Sequence, residues 1–448
     1  APPPQTQYFH LPAHCYTSWR VPSTQLGDGE QPRNGMSMRA LVLATFILAA
    51  FSLAACGGGG SSGSSGSGGS SPPPPPPPPP TYLPPLIFIA DKDTAGVNEL
   101  YRADQSGALN TKLNAALVAG GNVTDAQWSP DGTKVAYLAD QDTDEIFELY
   151  VVASTGGTPL KLNAALPTGA DVKSLAWAGS AAVCFIADAN TAGVDELFRA
   201  DAATAALTPL SPALVAGGDV LKFEVSPSGS SVCYLADQAI DETFEVFVVS
   251  SAGGAATKVS GSMVAGGDAT AFAWSPNSTR VGYIADAMTN DVFELYWNAP
   301  SGGTPTNLSS NLVLGGDVAE FKWNYNGSQA AFLADKDTDD VVELYMATVG
   351  GGVLKLNEPL VAGGDVTLFD IAQSGAKVSF VADKDFDDVQ ELFIVGSGGG
   401  TNVKSCHTLP ATGDVIALAW SPSSAWVGYI ADDQVDGQFE LMAITEHG

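Results

Sequence analysis

The sequence predicts an all-β fold, a β-propeller of four-stranded antiparallel blades, eight in number. Three observations carry the prediction. An Ala-Asp pair recurs with its Asp at Asp91, Asp140, Asp188, Asp237, Asp286, Asp335, Asp383 and Asp432, at steps of 48 or 49 residues. A Glu stands eight residues after each one, at Glu99, Glu148, Glu196, Glu245, Glu294, Glu343, Glu391 and Glu440. Each repeat breaks into short runs rich in Val, Tyr and Phe, separated by turn residues, and no stretch sustains a helical period. A period of ~40–50 residues built from short strands is the mark of propeller blades.

The second repeat shows the elements in order. Residues 122–128 read as strand A, and Ser129-Pro130-Asp131-Gly132 as a tight turn. Residues 134–139 are strand B, 140–146 a loop, 147–152 strand C, Gly156-Gly157 a second turn and 159–163 strand D. The run Trp128–Tyr137 resembles the WD40-like repeat of TolB-type propellers, which also occurs in prolyl oligopeptidase and dipeptidyl peptidase relatives. Later copies stand at Trp274–Tyr283, Trp323–Phe332 and Trp420–Tyr429, and degenerate ones at Val225–Tyr234 and Ile371–Phe380. The resemblance covers 86–448 and implies the fold, which serves many functions. Eight B–C hairpins alternate with seven A and seven D strands. Eight blades with a three-stranded blade at each end is therefore the expectation. The alternative is seven blades, with the last A strand completing the first blade. The repeat tryptophans are expected in the blade core.

The chain ahead of the repeats carries an address. Residues 1–35 show no periodicity and are expected to be an unstructured upstream segment. Met36-Ser37-Met38-Arg39 is a short basic start, and the apolar run that follows is too short to span a membrane but fits a secretion signal. It ends in Leu53-Ala54-Ala55-Cys56. This resembles the lipobox of bacterial lipoproteins, which implies a signal peptide over 36–55 and lipidation of Cys56. With Gly57 rather than Asp after it, the resemblance implies the outer membrane, facing the periplasm or the cell surface. Residues 56–85 are then a linker: a flexible Gly/Ser coil, and nine prolines forming a stiff rod of about 28 Å. The propeller occupies 86–448.

The formal net charge is −30, from 49 acidic and 19 basic residues, which excludes a nucleic-acid-binding role. The remaining cysteines do not describe a disulfide framework. Cys184 and Cys233 occupy one small-residue slot, filled elsewhere by Ala136, Gly282, Ala331, Ser379 and Gly428. They are expected to act as small apolar side chains.

Propeller topology sends the B–C and D–A loops to one face. Those loops hold 38 of the 49 acidic residues, including Asp171, Asp219, Asp268, Asp317, Asp365 and Asp414. The strand-D lysines Lys112, Lys161, Lys258, Lys355 and Lys404 are expected near the opposite face, leaving the repeat acids without a dependable ion pair. Two readings of the acids stand side by side. In one, Asp caps its own loop and Glu accepts backbone N–H groups or a Thr hydroxyl. In the other, Ca²⁺ takes oxygens from Asp91, Asp93, Glu99, Asp140, Asp142, Glu148, Asp188, Glu196, Asp237, Glu245, Asp286, Glu294, Asp335, Asp337, Glu343, Asp383, Asp385, Glu391, Asp432 and Glu440.

No nucleophile elbow or metalloprotease motif is present, and the repeats hold two histidines, His407 and His447. The expectation is a non-enzymatic, monomeric scaffold binding an envelope protein or a glycan through its acidic face. The alternative is a metal-dependent polysaccharide lyase or hydrolase on that face.

Overall fold

The computed structural model describes residues 9–10, 85–104, 110–410, 412–432 and 437–445. Cys56, the signal and the linker lie outside the described residues. The structure is all-β, with eight antiparallel sheets in which strands A, B, C and D follow in order. This is the eight-bladed propeller class, and the seven-blade alternative falls. The chain forms two compact units. The first carries blades 1 and 2, and the second carries blades 3 to 8.

The two end blades differ. Blade 8 has three strands, Val415–Trp420, Trp426–Ala431 and Glu440–Thr445, as expected. Blade 1 has four, not three: Phe9–His10 pairs with Phe88 and Ile87 of strand B. The physical reason is the row of backbone donors and acceptors along Leu86–Ala90, which two upstream residues satisfy.

Within a blade, alternation along each strand decides what is buried. Strand A of blade 2, Val123–Trp128, buries Val123, Ala126 and Trp128. Strands B and C are buried on both faces where a neighbouring blade packs on each side, as in blade 6, where Ala330–Ala334 and Glu343–Ala347 are buried throughout. Rings in register on strands B and C stack in blades 1 to 7, with centroids 5.3–5.6 Å apart. Offset aromatic pairs of this kind add to the burial of their area. Strand A starts with a register shift against strand B in blade 2 and in all six blades of the second unit, as at Val220/Lys222. The extra residue bends the strand as it leaves the D–A loop.

The small-residue slot is confirmed as a packing constraint. Cys184 and Cys233 are buried and unbridged. Burial pushes the Cys184 thiol up to about 12, so it is inert. At Gly282 a Cβ would stand 2.6 Å from Phe321 and 3.0 Å from Trp323 of the next blade. The tryptophans are in the core, with Trp128, Trp274, Trp323 and Trp420 at most 9% exposed. They also join blades. The indole N–H groups of Trp274, Trp323 and Trp420 donate to the carbonyls of Glu224, Ala273 and Asp370, one blade back.

Candidate functional site

The B–C loop is built around the repeat Asp. Its Oδ2 accepts the backbone N–H five residues on: Gly96 to Asp91 at 3.2 Å, Gly193 to Asp188 at 2.7 Å, Asp291 to Asp286 at 2.9 Å and Gly437 to Asp432 at 2.8 Å. The residue at that fifth position has a left-handed backbone in every copy. It is Gly96, Gly193 and Gly437 in three, and Glu145, Glu242, Asp291, Asp340 and Asp388 in five, with φ between 59° and 81°. The local Asp cap holds the turn against the cost of that conformation.

The other carboxylate oxygen reaches across to the D–A loop. Oδ1 of Asp188, Asp237, Asp335, Asp383 and Asp432 accepts the N–H of Asp171, Asp219, Asp317, Asp365 and Asp414 at 2.5–2.6 Å. The D–A residue then clasps the preceding blade. Asp219 accepts the N–H of Asp195 at 2.7 Å, Asp268 that of Phe244 at 2.7 Å, and Asp317 that of Phe293 at 2.6 Å. A backbone bond returns from strand A, as from Val220 N–H to the Asp195 carbonyl at 2.8 Å. Asn122 plays the same part between blades 1 and 2.

This two-loop joint explains the Gly-Gly that precedes the D–A acid. A Cβ on Gly316 would lie 2.6 Å from the Asp335 carbonyl, and one on Gly364 2.5 Å from that of Asp383. The glycines let the two loops touch.

The repeat Glu behaves differently from the expectation. It opens strand C, and Glu99, Glu148, Glu245, Glu343 and Glu391 are buried. Each binds a strand-D lysine: Lys161 at 2.6 Å, Lys258 at 2.7 Å and Lys355 at 2.5 Å, with Lys112 and Lys404 placed likewise. The lysines therefore do not belong to the opposite face. Strand D is short, and its lysine pairs with the residue two beyond the Glu, as Tyr150 with Lys161. Residues two apart share a face, about 6.6 Å along the strand, and a lysine stem spans that distance. The Tyr at that position completes the group, its hydroxyl donating to Glu99 at 2.9 Å, Glu148 at 3.0 Å and Glu343 at 2.8 Å. Burial, then the adjacent Glu148, pushes the Tyr150 hydroxyl far above its ordinary range, so it remains a donor. In blade 5 the cation is replaced by Asn307, which donates to Glu294 at 2.6 Å. Glu196 takes Asn190 at 2.7 Å instead.

The candidate metal-ligating acids thus separate into two sets. Asp140, Asp188, Asp237, Asp286, Asp383 and Asp432 are buried with the Glu residues just described. Asp91, Asp93, Asp142, Asp337 and Asp385 are exposed, and Asp335 and Glu294 are half-buried. Asp142 also meets Lys161, at 2.9 Å, which holds its carboxyl below the usual range. Glu440, alone among the repeat Glu residues, is exposed. Among the described residues no group of three or more His, Cys, Asp or Glu side chains is placed to hold a metal ion. Exposed acids that the sequence reading did not single out, Asp144, Asp241, Asp339 and Asp387, stand beside the first Gly of the D–A loops.

Comparison with known proteins fits this architecture. Residues 82–239 match the family model of the lipoprotein LpqB β-propeller domain. No curated protein matches the chain at a significant level. Among solved structures, the dipeptidyl peptidase 4 of Porphyromonas gingivalis is 12% identical over 77% of this chain and 54% of its own, with a TM-score of 0.54. The chain thus spans about half the length of that enzyme. A eukaryotic initiation factor is 13% identical over 77% of this chain and 82% of its own, at a TM-score of 0.50. At such identities the likeness is one of fold. A TolB from Agrobacterium tumefaciens, 18% identical over 50% of this chain and 76% of its own, has a TM-score of 0.30 and adds nothing to the argument.

Proposed function

We propose that the protein is a non-catalytic β-propeller scaffold of the bacterial cell envelope, tethered by lipid at Cys56, whose acidic loops dock a basic partner. The observation that carries this reading is the division of labour in the loops. In copy after copy one set of acids is consumed by hydrogen bonds that build the blade, while a second set on the same loops faces solvent. A surface on which exposed carboxylates outnumber lysines steers and holds cationic groups. A catalytic site would instead require one atypical copy. The match of residues 82–239 to a lipoprotein propeller supports the address.

The test uses the purified chain and a lysine-rich peptide as probe. Replacing Asp144, Asp339 and Asp387 by Asn is expected to weaken binding and flatten its salt dependence. Equal binding by the variant would overturn the acidic-face reading. In a lipoprotein-processing host, Cys56→Ser should abolish palmitate labelling and release the protein from the membrane fraction. Labelling that persists would overturn the anchor.

A further inference from the structure

Two slots at the loop tips meet water in every described copy. The third residue after the repeat Asp is Thr94, Thr143, Thr191, Thr289 and Thr338 in five copies, all exposed. The residue before the Gly-Gly of the D–A loop is Ala119, Ala216, Ala265 and Ala362, again exposed. The fold asks nothing of these side chains except tolerance of solvent.

In blades 4 to 7 the slots are filled out of pattern. Ile240 and Phe386 stand in the Thr slot at 63% and 64% exposure, and Leu314 stands in the Ala slot at 97%. Met288, 70% exposed, stands where Asp142, Asp337 and Asp385 stand in other copies. Blade packing recovers nothing for these side chains. Large apolar groups gathered on one surface in this way mark a place where another molecule binds.

Hydrogen bonds string the four tips along one arc of loops. The B–C loop of Ile240 is joined to the next D–A loop by Phe244 N–H on Asp268 at 2.7 Å, and that loop meets the B–C loop of Met288 by Val264 N–H on the Ala287 carbonyl at 3.2 Å. Phe293 N–H reaches Asp317, on the loop of Leu314, at 2.6 Å. Val313 N–H meets the Lys336 carbonyl at 3.0 Å, Val342 N–H meets Asp365 at 2.7 Å, and Val361 N–H meets the Lys384 carbonyl, beside Phe386, at 3.2 Å. Exposed acids are interleaved with the tips. Asp241 and Glu242 follow Ile240, Asp387 and Asp388 follow Phe386, and Leu314 precedes Gly315, where a Cβ would lie 2.5 Å from Asp339.

We propose that this arc docks a cationic amphipathic segment of another protein, whose lysines or arginines meet the loop acids while its apolar side chains cover Ile240, Met288, Leu314 and Phe386. The inference rests on the acidic docking reading above and adds an apolar requirement to it. Charge complementarity selects the occupant. The acids repel an anionic lipid surface, and a purely polar cation leaves the apolar tips wet. Residues 1–84 of this chain carry Arg20, Arg33 and Arg39 as their only basic residues and show no such alternation.

The probes are two labelled peptides of about 20 residues and equal charge, one with lysines and leucines on opposite faces of a helix, the other with every leucine replaced by glutamine. With the full chain both should bind, and anisotropy should show the Lys/Leu peptide at least about tenfold tighter. Ile240→Thr, Leu314→Ala and Phe386→Thr together restore residues that other copies carry at exposed positions, so folding is not at stake. That variant should bring the two peptides to equal affinity and leave the Lys/Gln peptide unchanged. Met288 reports the position: dilute peroxide should oxidise its thioether in the free chain, and the Lys/Leu peptide should protect it. Equal affinities for the wild type, or a preference that the variant keeps, overturns the proposal and leaves the acidic docking reading standing. Failure of both peptides to bind sinks that reading and this one with it. Protection of Met288 before peptide is added would put a segment of this chain on the arc, and capture of the wild type by phosphatidylglycerol vesicles would put a membrane there; each overturns the proposal.

Discussion

Replacing Lys161 tests whether the buried Glu residues depend on the strand-D lysines. Lys161 Nζ lies 2.6 Å from Glu148 and 2.9 Å from Asp142, and its side chain is 34% exposed against 7% for that of Glu148. Two unit charges 2.6 Å apart attract by about 1.6 kcal/mol in water, and by about 6 kcal/mol at an effective dielectric of 20. The exposure of the lysine moves the value toward the lower figure, and the desolvation of Glu148 subtracts from it. A coupling energy of about 1–2 kcal/mol remains. Lys161→Met alone should cost about 2–3 kcal/mol, because it leaves Glu148 buried with only the Tyr150 hydroxyl. The assay is urea unfolding of the wild type, Lys161→Met, Glu148→Gln and the double variant. Lys161→Asn is the internal control, since Asn307 fills this position in blade 5 and bonds Glu294. It should recover at least half of the loss. A coupling below about 0.5 kcal/mol, or an Asn variant as damaged as the Met variant, would refute the argument.

Other substitutions probe the loop joint. Asp286→Ala removes the acceptor of the Asp268 and Asp291 N–H groups and should cost about 2–4 kcal/mol by denaturant titration, with Asp286→Asn far milder. Gly316→Ala forces a Cβ against the Asp335 carbonyl and should lose about 1–3 kcal/mol. Asp340→Gly should gain about 0.5–1 kcal/mol, because φ is 60° there and the N–H bond to Asp335 survives. Asp370 is different. Burial raises its carboxyl above the ordinary range although Lys322 pulls it down, so the fold favours the protonated form. Stability contributed by this group is therefore full below the unfolded value of about 4 and falls as pH rises through the folded one. Asp370→Asn, which keeps an acceptor for the Trp420 N–H, should be neutral at pH 3 and stabilising at pH 8; the reverse trend in melting temperature would contradict this.

The calcium reading has its own measurement. Thermal unfolding with and without millimolar Ca²⁺ after chelation should leave the midpoint unchanged if the buried acids serve only the hydrogen bonds described here. A large rise would make the exposed Asp93, Asp142, Asp337 and Asp385 ligands.

Much of this molecule was legible without coordinates, because a repeat prints its own period. The spacing of the Ala-Asp pairs fixes eight hairpins. The turn residues divide each repeat into strands, and the segregation of acids marks one set of loops. The role of the repeat Asp as a cap was also readable, since Asp in a short loop has few other uses. The partners of these side chains were not. Asp188 binds an N–H five residues on and another seventeen back, and Lys161 reaches a Glu thirteen residues away across a turn. Such contacts follow from strand register, and register is set by the packing of strands B and C between neighbouring blades. Composition and period do not contain that information. For the same reason the lysines looked stranded at the wrong end. The sequence alone determined the number and kind of blades. Only the tertiary structure decided which charges neutralise each other and which acids are consumed in joining the blades.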